Sequence, residues 1–99
     1  MKEYKGINGK IIINDDGTLS WKYTIFPVNL LFKKKTFAIS DISKLNFKES
    51  GAFIAGKISI ESEKAEVDFE ITFDGRTQNE FKELYALLCE KSNLIPNDF

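Results

Sequence analysis

Ninety-nine residues at 11.3 kDa, 42% of them apolar and 13% aromatic, make one globular domain and exclude a disordered tail. Fourteen basic against fifteen acidic residues leave a net charge of -1, which argues against a general nucleic-acid binder. Histidine is absent, so the commonest general base and the commonest metal ligand are both missing, and neither cofactor nor metal is expected.

In chain order, Met1 to Gly6 is charged and has no apolar run behind it, unlike a signal or transit segment. Ile11 to Asn14 and Thr18 to Ile25 read as strands, joined by a tight turn at Asp15-Asp16-Gly17. In Thr18-Leu19-Ser20-Trp21-Lys22-Tyr23-Thr24-Ile25 every second residue is large and apolar, the pattern of a strand with one buried face. Pro27 must end, bulge or edge that strand. A further strand is expected at about 33–39, another at Lys44 to Lys48, and two more over 53–61 and 66–73. The last two are separated from what flanks them by Glu49-Ser50-Gly51 and Asp74-Gly75. In 54–61 the even positions point one way, and in 66–73 Val67, Phe69, Ile71 and Phe73 do. After Gly75 the period changes: Phe81, Leu84, Tyr85 and Leu88 stand at i, i+3, i+4 and i+7, behind Thr77-Gln78-Asn79-Glu80, which has the form of a capping box. One amphipathic helix is therefore predicted from about Gln78 to Ser92, with residues 93–99 as a tail. The connections are short, so sequential strands should pair as a meander, with strands over about 7–73 in a single 1–99 domain. The predicted class is mainly β: a small antiparallel barrel or sandwich closed by the helix.

Particular segments carry a resemblance. Gly9-Lys10-Ile11-Ile12-Ile13-Asn14-Asp15-Asp16-Gly17-Thr18-Leu19 resembles the first hairpin of bacterial pleckstrin-homology-like (PH-like) domains. Phe37-Ala38-Ile39-Ser40-Asp41-Ile42-Ser43-Lys44-Leu45 is similar to that family's strand–turn–strand, in which a short polar corner precedes a buried Ile. Phe81 to Cys89 fits its closing helix. The resemblance implies seven strands, one more than the alternation yields, and the seventh is expected between Tyr23 and Ile39, around Pro27. It also implies a binding or scaffolding module rather than an enzyme.

The residues agree with that functional class. Without His there is no Ser-His-Asp set, and Cys89 has no His to activate its thiol; beside the apolar stripe of a helix it reads as a small buried hydrophobe. As the lone cysteine it forms no internal disulfide, which fits a reducing cytoplasm. Asn14-Asp15-Asp16-Gly17 lacks the ligand spacing of a calcium loop, and a hairpin turn accounts for it. Protein binding is the leading expectation, on an exposed strand edge or beside the helix, with Leu87, Leu94 and Ile95 as candidate contacts. The alternative is an anionic membrane surface. Leu30, Leu31 and Phe32 precede Lys33, Lys34 and Lys35, a mixture suited to peripheral insertion beside anionic headgroups, and Lys44 and Lys48 extend the patch if their strand pairs with 33–39. Against it stands the bland reading of the lysines as a solvated edge. The first hairpin loop, where phosphoinositide-binding relatives generally place basic residues, is acidic here. Self-association through an open edge is a third reading. A ligand inside the barrel is disfavoured, because so short a chain needs its side chains to fill it. The partner itself is not written in the sequence.

Overall fold

The computed structural model describes residues 1–31 and 33–92. Seven antiparallel strands form two sheets. The first sheet has the order β1 (Lys2–Lys5), β2 (Gly9–Ile13), β3 (Thr18–Tyr23) and β4 (Lys35–Ala38); the second has β5 (Lys44–Lys48), β6 (Gly56–Ser62) and β7 (Val67–Phe73). A one-turn helix α1 (Val28–Leu31) lies between β3 and β4, a 3-10 turn (Ile39–Asp41) links the sheets, and α2 (Gln78–Ser92) closes the assembly. Each strand pairs with its sequence neighbour inside its sheet, as short connections require.

The alternating residues become the core. Ile11, Leu19, Ile58, Ile60, Ile71 and Phe73 are sealed from solvent, and the helix adds Phe81, Leu84 and Leu88. Two aromatic clusters join the layers. Trp21 of β3 stacks on Phe69 of β7 with centroids 4.1 Å apart, and Phe37 meets the same ring edge-on. Phe81 stacks on Phe73 at 4.7 Å and meets Tyr4 of β1 edge-on, so one helical side chain touches both sheets. Cys89 is buried, as a small hydrophobe would be.

Four expectations are corrected. The seventh strand is β1, at the amino-terminal end, and the strands begin at Lys2 rather than near residue 7. Lys2-Glu3-Tyr4-Lys5 buries only Tyr4, so no alternation announces it; pairing with β2 makes it a strand. Between Tyr23 and Ile39, the stretch around Pro27 holds α1 instead, with a cis Phe26–Pro27 peptide. β3 stops at Tyr23 and β6 starts at Gly56, which leaves Ile25, Phe53 and Ile54 exposed in loops although the expected strands include them. Finally, α2 begins at Gln78 as predicted, but among the described residues Thr77 and Glu80 do not make the reciprocal capping bonds. Its start is held instead by Asp74, whose main-chain oxygen accepts from the Thr77 N–H, and by Gln78 Oε1, which accepts from the Ser50 N–H and hydroxyl at 2.6 Å.

Two turns hold depressed aspartates. Asp16 accepts the Thr18 hydroxyl at 2.6 Å and its N–H at 3.1 Å, which lowers its carboxyl from the ordinary aspartate value, the hydroxyl contributing more. The Arg76 guanidinium, then the Arg76 N–H, does the same for Asp74. Gly17, at φ +85°, supplies the left-handed turn residue after Asp16. NMR titration should therefore place both midpoints below the usual ~3.9. A depressed folded value means that the turns' stabilisation is complete above the ordinary aspartate range and is lost as pH falls through the lowered value. Midpoints at the ordinary value would contradict these bonds.

The two sheets are stitched at the β1–β2 corner. Ile7 N–H donates to Thr72 O at 2.7 Å, and Gly6 N–H to Gly9 O at 2.8 Å. The backbones come so close that a side chain at Gly6 would collide with Thr72 O and Ile71 Cγ2. Gly6→Ala should cost about 1–3 kcal/mol, read as a lowered denaturant midpoint with an unchanged slope.

Candidate functional site

The stitch leaves part of β7 open. Residues 67, 69, 71 and 73 are buried, while Asp68 and Glu70 turn their side chains to the outer face of the second sheet. The main-chain groups of 68, 70 and 72 point away from β6, toward the first sheet. Asn8 uses some of them: its Oδ1 accepts from Thr72 N–H at 2.8 Å and its Nδ2 donates to Glu70 O at 3.0 Å. With these two bonds the Asn8 amide stands where one residue of a parallel strand would stand beside Ile71. The next acceptor and donor along the edge, Asp68 C=O and Glu70 N–H, have no partner among the described residues.

Those two groups border a cleft of about 460 Å³, lined by Asn8, Tyr23, Ile25, Val28, Asp68, Phe69 and Glu70. It exists because Pro27 and α1 carry the chain away from β3, so the first sheet stops short of the lower half of β7. Its inner wall is apolar and rigid: Phe69 is backed by the stacked Trp21, and Tyr23 meets Trp21 edge-on at 5.2 Å. Its outer rim is acidic. Asp68 stands opposite Glu61 in the β6–β7 register, with Glu70 two residues along. Lys57 Nζ reaches Glu70 at 3.5 Å, and among the described residues no cation forms an ion pair with Asp68 or Glu61.

The predicted contact residues lie elsewhere. Lys33, Lys34 and Lys35 are all exposed, the first two before β4 and the third opening it. Leu30 and Phe26 beside them are 67% and 75% exposed. Phe32 and the side chain of Leu31 lie outside the described residues. Lys44 and Lys48 do not extend this patch by strand pairing: β5 pairs with β6, in the other sheet, where Lys44 faces Glu61 and Lys48 faces Lys57. Leu87 is half-buried against the core, while Leu94 and Ile95 fall outside the described residues. No helix among the described residues is long and apolar enough to cross a membrane.

The cleft residues were not legible as a site. Asn8 stands two residues after Gly6 and next to Gly9, a pattern that reads as a plain turn, and nothing local reports its bonds to a strand more than sixty residues away. Val28 and Ile25 follow or flank a proline and read as interrupted strand. No family model matches the chain, and no curated protein or solved structure matches it either.

Proposed function

We propose that this chain is a non-catalytic interaction module of PH-like type that binds an extended segment of another protein along the open edge of β7. The observation that carries this is the pair Asp68 C=O and Glu70 N–H, beside a cleft of mixed polar and apolar lining and with no partner among the described residues. Such an edge binds a strand through main-chain hydrogen bonds, while a neighbouring pocket receives alternate side chains. The four-plus-three strand order closed by a terminal helix supports the PH-like assignment. Amide NMR spectra with added extended peptides test it. The Asp68 and Glu70 amides should shift, and Ile25→Asp, at a 45% exposed position that the fold tolerates, should abolish the shifts. Peptide-induced shifts confined to α2 or β4 would overturn it.

A second reading rests on Phe26 and Leu30, which are exposed and precede three exposed lysines in the chain. Apolar groups flanked by ammonium groups suit a peripheral contact with anionic lipid. Flotation with anionic vesicles, lost in moderate salt and in Lys33→Glu/Lys34→Glu/Lys35→Glu, would support it. Absence of flotation at low salt would remove it.

A further inference from the structure

Resting on the strand-addition reading, we infer that the segment accepted by the β7 edge alternates basic and apolar residues: the outer rim selects Lys or Arg, and the inner wall selects a β-branched or aromatic side chain. A strand laid along β7 continues the second sheet, so its side chains alternate between that sheet's two faces. On the outer face they stand beside Asp68 and Glu70, with Glu61 one strand further in. Directly opposed like charges destabilise a sheet and opposite charges stabilise it. The Glu61–Asp68 pair is such a like-charge pair; Lys44 stands opposite Glu61 on its other side and Lys57 reaches Glu70, which leaves Asp68 as the carboxylate of this face with no cation beside it among the described residues. An incoming cation relieves that repulsion as well as pairing with Asp68. On the inner face the next side chain meets Tyr23, Ile25 and Val28, which carry no charge, with the sealed ring of Phe69 beneath them.

The same geometry disfavours a second copy of this chain as the occupant through its own β7. Pairing two β7 edges antiparallel would set the carboxylates of Asp68 and Glu70 against those of the partner. Of the lysine-rich stretch 33–35 only Lys35 lies in a strand, β4 of the other sheet, and Lys33 and Lys34 precede it.

The test uses the intact chain and short synthetic peptides in which valine alternates with lysine, with threonine or with glutamate. Trp21 is the only Trp and is stacked on the cleft residue Phe69, so its fluorescence reports occupancy, with calorimetry as a second readout. The lysine peptide should bind about tenfold more tightly than the threonine peptide. The glutamate peptide should be the weakest, and the preference should shrink as salt rises. Asp68→Lys/Glu70→Lys should reverse the ranking, and because both side chains are exposed the variant should keep the wild-type circular dichroism. Equal or tighter binding of the threonine or glutamate peptide would overturn the charge selection and leave strand addition standing. Binding by none of the three peptides would overturn both. Concentration-dependent dimerisation abolished by Asp68→Lys/Glu70→Lys would assign the edge to a second copy instead and overturn the inference.

Discussion

Replacing Phe81 with Ala should destabilise the fold by about 3–5 kcal/mol, the usual cost of emptying a buried aromatic site. For a domain of this size that corresponds to a fall in Tm of more than about 12 °C. The expectation is large because the Phe81 ring is sealed from solvent and touches both sheets, Tyr4 on one side and Phe73 on the other. Phe73 in turn stacks on Phe47 at 5.4 Å, so the cavity would open in a row of rings. Phe81→Leu, which keeps most of the apolar volume, should lose less than half as much. Thermal melts followed in the far and near ultraviolet check this. A cost below about 1 kcal/mol would mean that α2 is not part of the cooperative unit, because a helix that frays away carries its contacts with it.

Asn8→Ala should cost about 1–3 kcal/mol, because it strands the Thr72 N–H and the Glu70 C=O at the seam between the sheets. The substitution is also local enough to be read residue by residue. Hydrogen exchange of the Thr72 amide should accelerate far more than that of Ile58 or Ile60, which sit on the central strand. Asn8→Asp is the sharper comparison: it keeps an acceptor for Thr72 but turns a carboxylate toward Glu70 O, so it should recover only part of the loss. An unchanged Thr72 exchange rate in Asn8→Ala would show that the Ile7–Thr72 bond alone holds the seam.

The parts of the fold that could be read in advance are those where one side chain decides one face. Val67 to Phe73 alternates without interruption, and each apolar residue in it is buried. The helix stripe was equally plain, since Phe81, Leu84 and Leu88 recur at a period that only a helix buries together. Legibility ended where pairing, rather than pattern, makes the structure. β1 buries a single tyrosine and becomes a strand because Lys2 to Lys5 lie alongside Lys10 to Ile13. Ile54 fits the alternation and Phe53 falls in the expected 53–61 strand, yet both stand in solvent, Phe53 fully so, because β6 begins only at Gly56. The cleft was illegible for a related reason. It is a gap between two sheets, bounded by residues from three separate stretches of chain, and a gap has no sequence signature. The two basic clusters, at 33–35 and on β5, would form one surface only if β4 and β5 paired, and these strands belong to different sheets.

The order of synthesis gives the position of Phe81 a further meaning. Both sheets are complete in the nascent chain once Phe73 has been made, but the ring that spans them follows, and the helix carrying it ends at Ser92. The ring that seals Tyr4, Phe47 and Phe73 is thus carried by the last element of the described chain to be made, and until α2 docks those three aromatics lack their cover.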